Sequence, residues 1–321
     1  MTRNAPHVAS QHQHQTGILL VLAGAALWGT MGPAVAKMSA LSPVSMVDVS
    51  GVRLLVGGLL MFAVAGATGD LRRLRLTGRA CSYIFATGCL AATFAAAYFV
   101  AVQRIGVATA TVITLGAAPS FVVLVSACQR RRLPRPAEAC ALALAGAGLL
   151  LVTDVTASSP APGGEATVGI VAAVASGIAF GTTTVLNRQR IPGLTSINLI
   201  ATSFTVGGTL TTLVIIASGR RWPAIDATGE GWAWFAWVVI GPTVLGYILF
   251  FGGLQSGLPS TTVSLLTLVE IVVATGIAVV LLGEQMTFLK TIGMVAIVAA
   301  AAVSHPAPPR RDASIIGVPH G

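Results

Sequence analysis

Long apolar runs recur along the whole chain, and they leave few folds open to it. One of them, "LLTLVEIVVATGIAVVLL" (residues 265–282), is long enough to cross a bilayer, which takes ~20 apolar residues. Only 9% of the residues are charged, against ~25% in soluble domains. A membrane β-barrel would instead alternate apolar and polar residues over ~10-residue strands. The sequence therefore predicts an all-α, polytopic membrane protein.

Ten apolar segments are predicted to be transmembrane helices, and they divide the chain into two halves. They are residues 17–36, 44–67, 82–102, 107–128, 137–153, 168–187, 196–217, 232–252, 261–282 and 287–304. The predicted parts are a disordered cytoplasmic tail (1–16), a first repeat (17–153), an external linker (154–167), a second repeat (168–304) and a cytoplasmic tail (305–321).

The two halves share residues at a constant offset of 152 positions. "GILLVLAGAALWGT" (17–30) aligns with "GIVAAVASGIAFGT" (169–182), and Gln103 aligns with Gln255. Because each half holds an odd number of predicted helices, the second half must enter the membrane from the opposite side. The sequence thus predicts two inverted five-helix repeats, an architecture typical of secondary transporters. The repeat also argues that the first segment is part of the fold and not a cleaved signal peptide.

The basic residues indicate the orientation of the chain. Arginines cluster in short connections such as "LRRLRLTGR" (71–79) and "QRRRLPR" (129–135). Short arginine-rich loops mark the cytoplasmic side of membrane proteins, so both termini are predicted to be cytoplasmic. Composition suggests a bacterial chain, and hence a multi-pass protein of the bacterial inner (plasma) membrane. No basic stretch is interleaved with aromatic residues, so no nucleic-acid partner is expected.

Several motifs resemble the drug/metabolite transporter superfamily, in particular its EamA-like ten-helix branch. They are "ALWGT" (26–30), Lys37, Arg53, "AVQRIGVATATVITLGAAPSFVVLV" (101–125) and "LTLVEIVVATGIAVVLLGEQMTFLKTIGMVAI" (266–297). The resemblance implies export of small metabolites, commonly amino acids, nucleosides or drugs. The family often has proline after the glutamate of the ninth helix; here that residue is Ile271, while the first half keeps Pro119. Because proline removes an internal hydrogen bond, the ninth helix is predicted to be less kinked than in relatives.

Glu270 is the leading candidate site residue, because a charge at bilayer depth costs several kcal/mol and intramembrane carboxylates are usually functional. It is predicted to lie near the middle of the ninth helix, facing an internal cavity and binding a proton or a substrate ammonium. The alternative is a structural, neutral carboxylic acid that is hydrogen-bonded to a neighbouring helix.

Three aromatic residues, Trp28, Tyr98 and Tyr247, lie in helices that border the central cavity in the family, so the resemblance implies substrate contact. Their alternative role is packing. The residues Trp222, Trp232, Trp234 and Trp237 lie near the start of the eighth segment and are interpreted as interfacial aromatics.

Four polar residues related by the repeat are further candidates. Thr30 and Thr182 each follow a glycine, and their hydroxyls reach either the cavity or a backbone carbonyl. Gln103 and Gln255 end the third and eighth segments and are gate candidates, with interfacial capping as the alternative. Arg53 either pairs with Asp48, extends to the surface or binds a substrate anion, and the resemblance favours a structural role.

The predicted function is a secondary transporter that exports a small metabolite by alternating access, with Glu270 coupling protons to substrate. The alternatives are a passive facilitator of the same fold and a multidrug exporter. The motifs HExxH and GxSxG are absent, so an enzyme is not expected. No cofactor and no metal are expected; the partners are a small-molecule substrate, the bilayer and protons. Small residues on the fifth and tenth segments are compatible with a monomer or a homodimer.

Overall fold

The computed structural model describes residues 5–41, 46–105, 107–153, 164–187, 191–219, 229–283 and 286–303. Regular structure within these ranges is helical, apart from one isolated bridge between Ile191 and Leu194. The α-helices are α1 (Ala5–Gly29), α2 (Met31–Leu41), α3 (Met46–Ala67), α4 (Gly78–Ile105), α5 (Val107–Gln129), α6 (Pro136–Thr153), α7 (Gly164–Leu186), α8 (Ser196–Ala217), α9 (Gly229–Val238), α10 (Gly246–Leu254), α11 (Ser260–Leu266), α12 (Val269–Leu282) and α13 (Phe288–Val303). A π-helical stretch, Val239–Leu245, joins α9 to α10, and a 3₁₀ turn, Asp70–Arg73, follows α3.

Eight stretches of helix in the described ranges are long and apolar enough to cross a membrane. Two shorter apolar helices, Pro136–Val152 and Phe288–Val303, occupy the positions of the fifth and tenth predicted segments. The prediction of an all-helical, multi-span membrane protein is confirmed. The count of ten spans and the opposite orientation of the two halves remain predictions.

Two helix starts differ from the predicted boundaries. Residues 5–16 were assigned to a disordered tail, but they form the first part of α1, which begins at Ala5. Alanine and glutamine propagate helices well, and no proline or glycine interrupts the stretch between Pro6 and Gly17. Similarly, α7 begins at Gly164, inside the predicted linker, and Glu165 lies in its first turn, where a carboxylate is favoured by the helix dipole.

Each half packs its first helix against the third and fourth segments of the other half. Helix α1 packs against α10 and α12, and its counterpart α7 packs against α4 and α5. The correspondence holds for single residues: Gly29 packs on the carbonyl of Glu270, and Gly181, 152 positions after Gly29, packs on the carbonyl of Ala118, 152 positions before Glu270. A two-fold relation between the halves produces such reciprocal contacts. The duplicated sequence is therefore also a duplicated packing scheme.

The eighth segment contains a π-helical stretch that sequence analysis missed. Pro242 lies inside it and has no backbone N–H to donate to the carbonyl of Val238. The hydroxyl of Thr243 donates to that carbonyl at 2.8 Å. Five of the seven residues of the stretch are buried, and this side-chain bond adds to the backbone bonds that the π-helix makes between residues five apart.

The ninth segment is interrupted between α11 and α12, at Thr267 and Leu268. The prediction that this helix is less kinked than in relatives, for want of a proline at Ile271, remains a prediction. The interruption itself coincides with a different local feature. The Thr267 hydroxyl donates to the carbonyl of Ser264 at 2.7 Å, and the N–H of Glu270 donates to the carbonyl of Thr267, three residues earlier, at 3.0 Å. Such bonds tighten the chain into a 3₁₀-type turn. By contrast α5, which contains Pro119, is one continuous helix.

Candidate functional site

Glu270 lies in the first turn of α12, immediately after the interruption of the ninth segment. This differs from the predicted position in the middle of an unbroken helix. The N-terminal end of a helix carries a positive dipole, which favours an anionic group. At this helix start the N–H groups of Leu268, Glu270 and Ile271 are already paired with carbonyls three residues earlier. The interruption thus gives Glu270 a local environment that a continuous helix would not provide.

Gly29 brings α1 against the backbone of Glu270. A Cβ atom at position 29 would lie 2.5 Å from the carbonyl oxygen of Glu270 and 2.8 Å from Cβ of Val273. Only a residue without a side chain permits this approach, so the glycine of the "WGT" motif is required by packing. The contact fixes Trp28, the preceding residue, close to the start of α12.

Three side chains lie within electrostatic range of the Glu270 carboxyl group: Arg53, Tyr98 and Tyr247. Among the described residues, none forms a hydrogen bond or a close ion pair with this carboxyl group. Glu270 therefore has one positive charge and two phenols within electrostatic range, and its carboxyl group is not tied to a neighbouring side chain. A carboxyl group in this state is available to a proton or to a cationic ligand.

Arg53 is deeply buried on α3, with 5% of its surface exposed, so it does not extend to the membrane surface. Its guanidinium donates to the hydroxyl of Thr243 at 3.1 Å, and that hydroxyl donates to Val238. Gly57, one turn along α3, allows the close approach, since a Cβ atom there would meet the Thr243 methyl group at 2.7 Å. The partner proposed from sequence, Asp48, has a side chain outside the described residues.

Trp28 and Tyr247 belong to one aromatic cluster in the centre of the molecule, which we call the aromatic core. The indole of Trp28 lies 4.8 Å from the ring of Tyr247 and 5.9 Å from that of Phe180, measured between centroids. Further ring contacts within the core involve Phe94, Phe204, Phe250 and Phe251. Centroid distances of about 4.5–7 Å are those of favourable aromatic pairs. The structure thus brings two of the three predicted aromatic residues together, beside Glu270.

The indole N–H of Trp28 is buried and has no hydrogen-bond partner among the described residues. Trp28 is 6% exposed, and Gly246 allows its nitrogen to approach the backbone of α10. Buried tryptophan usually finds an acceptor for this donor. A molecule bound against this indole would supply the missing acceptor.

Tyr98 occupies a neighbouring cluster and not the aromatic core. Its hydroxyl forms a hydrogen bond with that of Thr111 at 2.7 Å, and its ring packs near Ile105 and Ala173. It remains within electrostatic range of Glu270. The structure accordingly places Tyr98 at the edge of the site, held by a partner on α5.

The repeat-related threonines are bonded locally. The hydroxyl of Thr30 donates to the carbonyl of Leu27 at 2.7 Å and accepts from the indole N–H of Trp237 at 3.0 Å. The hydroxyl of Thr182 donates to the carbonyl of Ile178 at 2.7 Å. These bonds match the backbone-bonding alternative of the sequence analysis. A contact of either threonine with substrate remains a prediction.

The gate candidates lie at helix ends, away from the aromatic core. Gln103 is exposed near the end of α4, and Gln255 is partly buried in the turn that follows α10. The N–H of Gln255 donates to the carbonyl of Phe251, which closes that helix. Their location fits capping as well as gating, and their role as gates remains a prediction.

Sequence reasoning missed the polar residues that shape the site, Thr243 and Thr267. Each is a threonine next to a point where the helix departs from regular α geometry. The dipeptide Pro242–Thr243 within an apolar run was a usable signal for the first. The second gave no comparable signal, because threonine also occurs in regular transmembrane helices.

The described residues contain no cluster of three or more His, Cys, Asp or Glu side chains that could hold a metal ion. The arrangement that they do contain joins one carboxyl group, one guanidinium, two phenols and an unpaired indole N–H around an apolar ring cluster. Such a site can bind an amphipathic molecule through its charged and apolar parts.

Comparison with known proteins gives a consistent result. Two segments, residues 15–154 and 167–304, match the EamA-like transporter family. The uncharacterized transporter YwfM of Bacillus subtilis (strain 168) is 26% identical over 280 residues, which cover 86% of this chain and 89% of YwfM. A protein of known crystal structure shares the fold with a TM-score of 0.75 at 22% identity, over 90% of this chain and 96% of the other.

Proposed function

The chain belongs to the EamA-like transporter family, and from this premise we propose that it is a secondary transporter that exports a small amphipathic metabolite, such as an amino acid. Transport proceeds by alternating access across the bacterial inner membrane, and protons are the coupling ions. The two repeats move relative to each other around a site at their interface, as in other transporters built from repeats.

One observation carries this proposal: Glu270 stands at an interruption in a membrane-spanning stretch, and no described side chain holds it. Interrupted helices form substrate and ion sites in transporters because helix ends carry partial charges within the membrane. An unpaired carboxyl group can exchange a proton for a substrate ammonium. That exchange would couple the movement of protons to the movement of substrate.

The aromatic core supports an amphipathic substrate. Trp28 and Tyr247 combine large apolar faces with polar tips, and the unpaired indole N–H of Trp28 lacks an acceptor. A substrate with an apolar body and a polar group would pack on the rings and supply that acceptor. Entry of the substrate requires the ring contacts to separate, as expected of a site that opens and closes.

Arg53 favours a second candidate, the passive facilitator. It supplies a positive charge within electrostatic range of Glu270. A carboxylate with such a standing partner can bind a substrate ammonium without exchanging a proton. The two candidates differ in one property: only proton coupling allows accumulation of substrate against its gradient.

The first experiment is a thermal-stability screen of the purified protein with amino acids, nucleosides and amphipathic drugs at pH 6 and 8. A ligand that binds the folded state raises the melting temperature by mass action. Proton coupling predicts a hit that depends on pH in the wild type and not in Glu270→Gln. Glu230→Gln, at an exposed carboxyl group near the start of α9, is the matched control and should behave as the wild type.

Three results would count against the proposal. A hit that is equally pH-dependent in Glu270→Gln would make Glu270 a structural acid. A substrate that equilibrates in proteoliposomes, but never accumulates under an imposed pH gradient, would assign the facilitator. Binding of many unrelated drugs and of no metabolite would assign a multidrug exporter.

A further inference from the structure

A groove with a volume of about 510 Å³ opens between α2, α9 and α12, and we call it the lateral groove. Its inner end is formed by Thr30 and Val273, and its outer walls include Trp237, Gly276 and Val280. All three helices belong to stretches that are long and apolar enough to span the membrane. The groove therefore lies at membrane depth, where lipid replaces water as the solvent.

The rim of the groove faces outward. Val280 is 81% exposed and Trp237 is 42% exposed. Gly276 has open space at the position of a Cβ atom, with no heavy atom within 4 Å. The residue 152 positions before Gly276, in the first half, is Leu124, which carries a side chain at the equivalent place. The absence of a side chain at Gly276 thus widens the groove. The equivalent position of the first half is filled by the side chain of Leu124.

The groove offers apolar surface, and its three polar side chains, Thr30, Trp234 and Trp237, are already paired. The indole N–H of Trp234 donates to the Glu230 carboxylate at 3.4 Å. The indole N–H of Trp237 donates to the hydroxyl of Thr30, and that hydroxyl donates to Leu27. A tryptophan N–H that faced hydrocarbon without an acceptor would cost free energy. Because this donor is satisfied within the protein, an occupant needs no polar group at this depth.

The dimensions of the groove select the occupant. From Val273 to Leu281 the wall formed by α12 rises ~12 Å, at ~1.5 Å per residue, close to one leaflet of a ~30 Å hydrocarbon core. Along this length the groove has a volume of about 510 Å³. A single hydrocarbon chain is narrow enough, and its ordering against two helix walls gains packing contacts.

We propose that the lateral groove binds one acyl chain of a membrane phospholipid. The inference goes beyond the proposed function, since it does not require that the protein transports anything. The chain would rest against Thr30 and Val273, and Val273 also contacts Gly29, which packs on Glu270. A bound chain would therefore brace α2 against α12 next to the candidate site.

The test is quenching of tryptophan fluorescence by phosphatidylcholine with dibrominated acyl chains, titrated into the purified protein in detergent. The signal of Trp237 is the difference between the wild type and Trp237→Phe. We expect this signal to saturate, as binding at one site does. In Gly276→Leu, which fills the groove as Leu124 does in the first half, quenching should rise linearly with bulk lipid and not saturate.

Gly66→Leu is the control, because Gly66 is exposed on α3 and also has open space around it. It should keep the saturable signal. If Gly276→Leu does not fold, Val280→Phe fills the groove from its exposed rim. Linear quenching in the wild type, or equal saturation in the filled variants, would overturn the proposal. Protection of Trp237 from all quenching in a dimeric protein would assign the groove to a second copy and would also overturn it.

Discussion

Trp28 and Phe180 occupy equivalent positions in the two halves, and their rings meet edge to face with centroids 5.9 Å apart. Because one residue belongs to each half, the contact lies where the two halves of the chain meet. It lies one residue from Gly29, whose packing on Glu270 links this contact to the candidate carboxyl group.

Trp28→Phe tests the buried indole N–H as a ligand contact. The variant keeps an aromatic ring and removes an N–H that has no described partner. The smaller ring leaves space in the aromatic core, so we expect a lower melting temperature from lost packing, but no hydrogen bond within the described residues is lost. A ligand that accepts from this N–H should bind roughly fivefold more weakly, for a loss of about 1 kcal/mol. Isothermal titration with the first ligand from the screen measures this, and unchanged affinity would place the ligand elsewhere.

Gly29→Ala should destabilise the protein strongly. The added methyl group would lie 2.5 Å from the Glu270 carbonyl oxygen, and such overpacking costs about 1–3 kcal/mol. Gly181→Ala meets the equivalent carbonyl at 3.0 Å and should cost less. Gly66→Ala meets nothing within 4 Å and should be neutral or stabilising. Melting temperatures in detergent test this order, and an equal effect of all three would contradict the packing described here.

Thr243→Val removes two hydrogen bonds at one atom. Arg53 loses the hydroxyl that accepts from its guanidinium, and the Val238 carbonyl loses its side-chain donor, both in a buried region. Leaving a buried polar group unpaired costs about 1–3 kcal/mol, so the melting temperature should fall. Thr209→Val, at an exposed position on α8, is the control and should have little effect. If both variants melt alike, Arg53 has other support in the fold.

Glu270→Cys tests whether water reaches the site. In a background in which Cys81, Cys89, Cys128 and Cys140 are replaced by alanine, a charged thiol reagent should modify the new cysteine, because the thiolate forms only where water is present. Val280→Cys is the control on the same helix, since its exposed side chain faces lipid. Mass spectrometry of the protein recovered from proteoliposomes measures the extent of modification in each of the two variants. Modification at position 280 and not at 270 would contradict an aqueous cavity.

The sequence was sufficient for the features that depend on local composition and on duplication. Long apolar runs identified the spans, and the offset of 152 residues, visible in Gly29 and Gly181, anticipated the reciprocal contacts of the two halves. Glu270 was identified because a carboxylate in an apolar run is rare. These inferences succeed because hydrophobicity and backbone hydrogen bonding act along the chain itself.

Other features were decided only by the tertiary structure. The interruption before Glu270 depends on the Thr267 hydroxyl, and the acceptor of Arg53 is Thr243, 190 residues away in sequence. The lateral groove exists because Trp237 reaches Thr30 across helices that are far apart in the chain. In a sequence each of these residues is one polar or aromatic side chain among many. Its role follows from which helix packs beside it, and that is set by the sum of contacts over the whole fold.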